Sequence, residues 1–232
     1  MNLDSTYLPL DVLPPAQNPE RVRVGAFQEC SVVAGPGRRA VLWVTGCLRR
    51  CPGCIKPEFL SFEEGTWVGV EELAERILAI DGIDGVTYSG GEPFEQAAAL
   101  GQLSRLLKPA GLSIVCYSGY RHEALLENET RFGPLLGEVD LLIDGEYLEH
   151  SGGARLWRGS DNQRIIDLTG KFSDQQFHDS PVQEVQVSMD EGTIRITGFP
   201  DKAMEKALLK SLAMKGIMVS SHKSELGIEL SS

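Results

Sequence analysis

Three of the five cysteines in this 232-residue chain, Cys47, Cys51 and Cys54, lie within one eight-residue segment. Their CxxxCxxC spacing follows directly on AVLWVTG (40–46), an apolar run typical of a buried strand. The cysteines therefore begin a loop at the carboxyl end of that strand, where α/β folds place their chemistry. Disulfide scaffolds usually spread an even number of cysteines through a short chain, so this crowding predicts a metal site in a reducing compartment.

The number of clustered thiols restricts the kind of metal site. Three thiolates on one tight loop predict a 4Fe–4S cluster with three irons held by the protein and the fourth iron open. Structural zinc and electron-transfer clusters use four protein ligands. The alternative is therefore zinc or a closed cluster, with Cys30 or Cys116 as the fourth ligand. Cys116 lies inside an apolar, strand-like run, where a free cysteine behaves as a small hydrophobic residue.

Apolar runs alternate with helical patterns from about residue 23 to residue 169. The predicted strands are 40–46, 85–89, 112–118, 139–144 and 164–168, and the predicted helices are 71–80, 95–108 and 121–127. This alternation predicts βαβ units, a parallel sheet and an α/β fold. The set is too short for the eight βα units of a closed barrel, so we expect an open, partial β/α barrel.

Two segments fall outside this alternation. Residues 1–22 contain prolines and little periodicity, which predicts an irregular N-terminal arm. Residues 170–232 contain a hairpin pattern, with strands 182–189 and 193–199, followed by a helical pattern. We therefore expect a small α+β appendage at 170–232, after a main domain at 23–169.

Charge and hydropathy restrict the partners. The chain has 22 Lys and Arg residues and 33 Asp and Glu residues, for a net charge of −11. An acidic chain repels phosphate backbones, so we expect no nucleic-acid partner. No apolar run approaches the roughly 18 residues that cross a bilayer. The first residues lack the basic start and apolar stretch of a secretory signal. We expect a cytoplasmic protein with no membrane partner.

Further motifs accompany the cysteines in chain order between residues 30 and 168. They are SVVAGPG (31–37), VLWVTGCLRRCPGC (41–54), YSGGEP (88–93), YSGY (117–120), DLLIDGEY (140–147) and RGSDNQR (158–164). Together they resemble the radical S-adenosylmethionine (radical SAM) superfamily and its glycyl-radical-enzyme activases. They are most similar to the anaerobic ribonucleoside-triphosphate reductase activating proteins.

The resemblance implies an iron–sulfur oxidoreductase with two cofactors, a 4Fe–4S cluster on Cys47, Cys51 and Cys54, and S-adenosylmethionine. It implies reductive cleavage of S-adenosylmethionine to methionine and a 5′-deoxyadenosyl radical, which abstracts hydrogen from a partner's glycine. The implied partners are a glycyl radical enzyme such as anaerobic ribonucleotide reductase and a flavodoxin- or ferredoxin-like electron donor. Two other functions stay open: a radical SAM enzyme that modifies a peptide or small molecule, and a non-enzymatic iron–sulfur electron carrier.

The resemblance also implies a binding site for S-adenosylmethionine after the second strand. Gly90 and Gly91 end a strand, and without Cβ atoms their backbone can approach a ligand closely. In the family this segment accepts the amino group of S-adenosylmethionine, and Glu92 is expected to help neutralise that cation. The structural alternatives are a plain strand-end turn for the glycines and a first-turn helix residue for Glu92.

Later motifs are expected to complete the same pocket. Ser118 and Gly119 lie at the end of the next strand, with a strand-to-helix turn as the structural alternative. Asp144 is expected to orient the methionine part or bind a cation, and a buried capping aspartate is the alternative. The basic motif is expected to hold a carboxylate or ribose, or to receive the protein substrate, because a guanidinium donates two parallel hydrogen bonds. Its three candidate residues are Arg158, Asn162 and Arg164.

Three residues depart from the resembled motifs. Ala34 stands where many activases have an acidic residue, Lys56 where asparagine is common, and Asp161 where serine is usual. None is a predicted cluster ligand, so the departures bear on the choice of substrate and leave the cofactor chemistry unchanged.

Overall fold

A seven-stranded mixed sheet forms the centre of the protein, and a separate three-stranded sheet lies in its C-terminal part. The computed structural model describes residues 19–151, 155–174, 184–190, 193–200, 202–214 and 227–229. The strands are β1 (Arg21–Ser31), β2 (Arg39–Val44), β3 (Thr66–Gly69), β4 (Gly85–Gly90), β5 (Ser113–Ser118), β6 (Leu141–Asp144), β7 (Arg164–Asp167), β8 (Val185–Asp190), β9 (Thr193–Gly198) and β10 (Gly227–Glu229). The helices are α1 (Val70–Leu78), α2 (Ala97–Leu107), α3 (His122–Glu127), α4 (Glu129–Leu136) and α5 (Lys202–Met214), with 3₁₀ turns at Pro57–Phe59, Pro93–Gln96, Lys108–Ala110 and Glu149–Ser151.

The four central strands of the large sheet, β2, β4, β5 and β6, run parallel to one another. They are buried along nearly their whole length, which explains their continuous apolar runs. Their carboxyl ends are in register, since Val44 pairs with Gly90 and Ser118 pairs with Asp144. The predicted α/β fold is confirmed, and the segments after these strands meet at one edge of the sheet.

The edges of the sheet correct the prediction of a parallel sheet. β1 is antiparallel to β2 and β3, and β7 is antiparallel to β6. The connection 32–38 between β1 and β2 contains only bends. A parallel pair needs a crossover of about a dozen residues or more, whereas an antiparallel pair can be joined by a short connection. The short connection therefore makes β1 antiparallel.

Several elements go beyond the sequence prediction. The first strand, β1, was not expected, because apolar and polar residues alternate irregularly along RVRVGAFQECS and its buried positions are few. The short strand β3 and the helix α4, which contains Pro134, were also not expected. Of the expected N-terminal arm, residues 1–18 lie outside the described residues, and Arg21 and Val22 already belong to β1.

Alternate residues of the central strands face two different layers. One set, which includes Leu42, Tyr88 and Cys116, packs under the helices in the main hydrophobic core. The other set, which includes Trp43 and Val115, forms two smaller apolar clusters on the opposite face. This period of two is that of a pleated sheet covered on both faces. The face opposite the helices leads to the candidate site.

Arg39, at the start of β2, is fully buried and connects three parallel strands at the amino end of the sheet. Its guanidinium donates to Thr87 Oγ1 at 2.8 Å and to the carbonyl oxygens of Val86 and Ser113 at 2.9 and 2.6 Å. It also donates to the carbonyl oxygen of Pro36 at 2.9 Å. Burial lowers the pKa of Arg39 to about 10, so the side chain stays charged at neutral pH.

We expect Arg39→Met to lower the free energy of unfolding by about 3 kcal/mol or more, because several buried acceptors lose their donor. Chemical denaturation monitored by circular dichroism measures the change. The matched control is Arg38→Met, an exposed neighbour, which should change the stability by less than about 0.5 kcal/mol. Equal effects of the two substitutions would show that the buried network does not stabilise the sheet.

The predicted C-terminal hairpin and helix are present as β8, β9 and α5, and residues 182–183 and 191–192 of the predicted hairpin lie outside the described residues. β8 and β9 pair antiparallel, and β10 adds to the other side of β9. No helix in the described part of the chain combines the length and apolarity that crossing a bilayer requires.

Candidate metal centre

A cleft of about 700 Å³, partly open to solvent, lies at the carboxyl ends of the four parallel strands. The cysteine loop, the segments after β4 and β5, and the segment after β6 all contribute to its walls. We call it the cysteine cleft. Its position agrees with the usual placement of sites in open α/β sheets.

The three clustered cysteines all line the cysteine cleft. Cys47 is buried, and Cys51 and Cys54 are partly buried. The loop is fastened to the 3₁₀ turn that follows it, since the amide nitrogens of Gly46 and Cys47 donate to Phe59 O and Leu60 O at 2.9 and 3.2 Å. The sequence therefore brings the three thiols to one cavity on a braced loop.

Burial raises the pKa of all three clustered thiols, and the pKa of Cys47 reaches about 12. Without a cation the thiols are therefore protonated at neutral pH, and metal binding would release protons. Among the described residues, no three His, Cys, Asp or Glu side chains are placed to share a single metal ion. A 4Fe–4S cluster binds each thiolate to a separate iron, so its ligands need not converge on one point.

The two other cysteines lie away from the cysteine cleft. Cys116 is fully buried in the core under the helices, and Cys30 lies near the end of β1. Neither lines the cleft. The geometry therefore gives no support to the alternative in which Cys30 or Cys116 supplies a fourth ligand.

Gly90 and Gly91 line the cleft where β4 meets the cysteine loop. A Cβ atom on Gly90, whose φ is +102°, would lie 2.4 Å from Val44 O. A Cβ atom on Gly91 would lie 2.5 Å from Gly46 O and 2.6 Å from Phe59 O. The close approach that requires glycine here is to the backbone that carries the cysteines, in addition to any ligand in the cleft.

Glu92 is almost fully buried and connects the carboxyl ends of β4 and β5. Its carboxylate accepts hydrogen bonds from Gly119 N at 2.7 Å, Ser118 Oγ at 3.0 Å and Phe94 N at 3.1 Å. Burial is the main cause that raises the pKa of Glu92 to about 7. Glu92, Ser118 and Gly119 all line the cleft. A buried carboxylate of this kind favours a cationic ligand, because a cation offsets the cost of burying the charge.

Asp144 lies outside the cleft lining and is bound within the protein. Its carboxylate accepts from His122 N at 2.7 Å and from Arg164 Nε at 2.9 Å. Arg164 also contacts Glu123, at 2.8 and 3.0 Å. This arrangement ties β6, β7 and α3 together, as a structural aspartate would.

Of the other residues in the basic motif, one lines the cleft and two of the predicted candidates do not. Arg158 and Asn162 do not line the cleft, and Asn162 Nδ2 donates to Glu146 O at 2.8 Å. Gln163, which the sequence analysis did not single out, does line it. Gln163 donates to Gly145 O at 2.9 Å and accepts from Gly159 N at 2.8 Å, so it is held firmly beside the cleft.

Tyr117, Tyr147 and Phe199 are further lining residues that are not among the candidates predicted from the sequence. Alternation along β5 places Tyr117 on the same face as Val115, so a period-two reading of that strand was the available signal. Phe199 follows β9 in the C-terminal appendage, and no local pattern in the sequence connects it to the cysteines.

The lining residues fit an iron–sulfur cluster. Three thiols on one loop are the soft donors that such clusters select, and the cleft extends beyond them to Glu92 and Gly119.

Arg49 also lines the cleft, and its guanidinium lies 2.6 Å from Glu146 and 5.3 Å from the centre of the Tyr120 ring. The guanidinium is therefore held in the protein.

Known proteins are similar to this chain in sequence. The sequence profile of the family described as a 4Fe-4S single cluster domain matches residues 33–166. The anaerobic ribonucleoside-triphosphate reductase-activating protein of Enterobacteria phage T4 is 37% identical over 148 residues, which cover 60% of this chain and 90% of the relative. The protein of the same name from Vibrio cholerae is 34% identical over 154 residues, 62% of this chain and 96% of the relative.

A second kind of activating enzyme is also similar. The pyruvate formate-lyase-activating enzyme of Staphylococcus epidermidis is 32% identical over 158 residues, which cover 64% of this chain and 62% of the relative. The resemblance inferred from the motifs is thus confirmed. The chain belongs to the 4Fe-4S single cluster domain family and is a radical SAM oxidoreductase of the type that activates glycyl radical enzymes.

Proposed function

We propose that this enzyme cleaves S-adenosylmethionine reductively and uses the 5′-deoxyadenosyl group to take one hydrogen atom from a glycine Cα of a partner protein. The observation that carries the proposal is the shared cleft. The three cysteines, the Gly90–Gly91 turn and the Glu92–Gly119 contact line one cavity at the carboxyl ends of parallel strands. Two relatives that this chain matches over 90% and 96% of their length are named as activating proteins of anaerobic ribonucleoside-triphosphate reductase.

Cys47, Cys51 and Cys54 would hold a 4Fe–4S cluster and leave its fourth iron to S-adenosylmethionine. When bound, the cluster supplies the electron that breaks the bond between sulfur and the 5′ carbon. The residues around it bind and orient. Gly90, Gly91 and Glu92 would receive the cationic amino group, and the carboxylate of Glu92 is already held towards this region by Gly119 N at 2.7 Å.

The remaining predicted residues divide into two that line the cleft and four that lie outside its lining. Ser118 and Gly119 would contact S-adenosylmethionine directly, since both line the cleft. Asp144 and Arg164 would fix the ends of β6 and β7 through their mutual ion pair. Arg158 and Asn162 would hold the loop that carries Gln163 or receive the protein substrate. Each assignment is open to test by binding measurements on single variants.

The proposal extends to the fold and to the partners of the enzyme. We infer that the large sheet curves as an open, partial barrel in the domain 23–169, and that residues 170–232 form a small α+β extension of it. The protein substrate would be a glycyl radical enzyme, and a flavodoxin- or ferredoxin-like protein would supply the electron in the cytoplasm.

Apolar side chains such as Ile55 and Leu60 line the cleft and would limit access of water to the reacting atoms.

Isotope transfer tests the proposal. The reconstituted enzyme would be incubated with S-adenosylmethionine, a reductant and an anaerobic ribonucleotide reductase subunit that carries Cα-deuterated glycine. One hydrogen atom leaves the glycine Cα and joins the 5′ carbon, so we expect deuterium in the 5′-deoxyadenosine. Unlabelled 5′-deoxyadenosine, formed in the presence of a folded partner, would instead indicate another substrate.

We expect Glu92→Gln to weaken binding of S-adenosylmethionine by about tenfold, which corresponds to about 1.4 kcal/mol. The amide oxygen keeps an acceptor for Gly119 N, while the amide NH2 replaces the oxygen that accepts from Phe94 N and Ser118 Oγ. The substitution also removes the negative charge that would face the amino group. Anaerobic equilibrium binding to the cluster-loaded protein measures the change. The control is Glu72→Gln, an exposed residue on α1, which should leave the affinity unaltered. An unaltered affinity in Glu92→Gln would remove Glu92 from the binding site.

A further inference from the structure

The C-terminal hairpin β8–β9 lies beyond residue 166, where the match to the family ends. It is nevertheless fastened to β1 in the main domain. Thr197 Oγ1 donates to Gln28 Oε1 at 2.7 Å, and both side chains are buried. The side chain of Gln186 bonds to the backbone of Cys30 at 3.1 Å and of Val32 at 3.0 Å. The hairpin is thus packed on the main domain and held by specific bonds.

Phe199, directly after β9, extends from this hairpin to the cysteine cleft. Its ring centre lies 5.8 Å from that of Tyr117 on β5. Phe199 also lies next to the loop before β7, since a Cβ atom on Gly159 would lie 3.2 Å from Phe199 Cδ1. Phe199 therefore forms a wall of the cleft that the matched region of the family does not contain.

A second cavity of about 450 Å³ lies behind that wall, on the face of the sheet opposite the helices. We call it the inner chamber. Its lining includes Val33, Val41, Trp43, Thr87, Thr197 and Phe199. It shares Ile55, Lys56, Ser89, Tyr117 and Phe199 with the cysteine cleft, so the two cavities adjoin along these residues. A group in the inner chamber would face the cysteine cleft across Tyr117 and Phe199.

The lining chemistry restricts what the inner chamber can hold. Its walls are mainly apolar, and Lys56 is the one charged residue among the described residues that line it. The hydroxyls of Thr87 and Thr197 already donate, to Ala34 O at 2.8 Å and to Gln28 Oε1 at 2.7 Å. The Tyr117 hydroxyl makes no hydrogen bond within the described residues and is therefore available to a ligand. A small, mainly apolar group with one or two hydrogen-bonding atoms fits this description, and a cationic or bulky group does not.

We propose that the inner chamber receives the residue to be attacked, and that Phe199 is a specificity-determining residue that admits glycine and rejects larger residues. A glycine on an extended segment is neutral and has no side chain, and its carbonyl oxygen can accept from Tyr117. Phe199 and Tyr117 then limit the passage to the cysteine cleft. The inference rests on the proposed function, in which the hydrogen atom comes from a glycine Cα.

Two kinds of probe separate the inference from the proposed function. One is the reductase subunit, and the other is a pair of small amides, N-acetylglycinamide and N-acetylalaninamide, with deuterium at Cα. Deuterium in 5′-deoxyadenosine is measured for the wild type, Phe199→Trp, Phe199→Ala and Phe199→Leu. Iron content and thermal unfolding show whether each variant folds and loads its cluster. Calorimetric titration of the cluster-free chain with the reductase subunit gives a binding readout that needs no turnover. The control is Val187→Ala, which changes an exposed side chain of the same hairpin.

We expect Phe199→Trp to block the passage and lower deuterium transfer from glycine about tenfold or more, with weaker binding of the subunit. Phe199→Ala should open the passage and raise transfer from the alanine probe about tenfold relative to the glycine probe. Phe199→Leu and Val187→Ala should resemble the wild type. If Phe199→Trp does not fold, the ratio of alanine to glycine transfer in Phe199→Ala decides.

Two results would separate the claims. A wild type that transfers deuterium from the glycine amide and not from the subunit would contradict the protein target and keep the inner chamber. A normal reaction with the subunit, with the preference for glycine over alanine unchanged in both Phe199→Trp and Phe199→Ala, would overturn the role of Phe199 and keep the proposed function.

Discussion

Replacing any one of Cys47, Cys51 and Cys54 by alanine is expected to abolish S-adenosylmethionine cleavage, with a loss of about a thousandfold or more. Each thiol would hold a different iron, and the loop offers no substitute donor at the cleft. The variants should also bind less iron and lose the absorbance of the cluster after anaerobic reconstitution. Because the thiols lie on a loop and not in the main core, we expect the fold to persist.

The chain provides two matched controls for this experiment. Cys30→Ala and Cys116→Ala remove thiols that do not line the cysteine cleft. Cys116 packs in the core, so its variant is expected to lower stability somewhat and to keep its iron and its activity. Loss of the cluster in either control, as complete as in Cys47→Ala, would establish a fourth protein ligand and contradict the open iron.

The second large effect is expected from Gly91→Ala. The new methyl group would lie 2.5 and 2.6 Å from the carbonyl oxygens of Gly46 and Phe59, and both contacts are to backbone. Relief of the clash must move the cysteine loop, at a cost of about 1–3 kcal/mol or more. We therefore expect iron content and S-adenosylmethionine cleavage to fall about tenfold or more.

Gly69→Ala is the matched control for that variant. Gly69 also has an ordinary φ, and the nearest atom to its added Cβ would be Glu72 Cβ at 3.8 Å. We expect its iron content and activity to equal those of the wild type. A Gly91→Ala enzyme with full iron content and full activity would show that the strand end does not brace the loop.

The sequence was most informative for the strands that are buried along nearly their whole length. The runs that became β2, β4, β5 and β6 are apolar because both faces of these strands are covered, and such runs identify central strands directly. The same positions locate the site, because the strand ends carry the motifs. The cysteine loop and the segment at Gly90–Glu92 were therefore predictable as neighbours.

The edge strands of the sheet were less predictable, because their pattern of polar and apolar residues depends on solvent and on residues from other parts of the chain. β1 mixes charged and apolar residues, and its direction follows from a short connection that contains no helix. The role of Asp144 also depends on contacts distant in sequence, since Arg164 lies 20 residues away from it. Motif matching groups such residues with a ligand, whereas the structure pairs them with each other.

The contribution of the C-terminal appendage could not be predicted from local patterns at all. Phe199 reaches the cleft because Thr197 and Gln28, 169 residues apart, hold the hairpin on β1. The match to the family ends at residue 166, so the family gives no information on this region. It is the part of the molecule in which substrate preference is expected to differ from that of the relatives.

The most direct test of the central claim is electron paramagnetic resonance on an anaerobic mixture of the reconstituted enzyme, S-adenosylmethionine, a reductant and an anaerobic ribonucleotide reductase subunit. We predict a doublet from a glycyl radical, together with 5′-deoxyadenosine in the same sample, and neither signal with Cys47→Ala. 5′-Deoxyadenosine without a glycyl doublet, with the partner folded and the cluster intact, would contradict the activation of a glycyl radical enzyme.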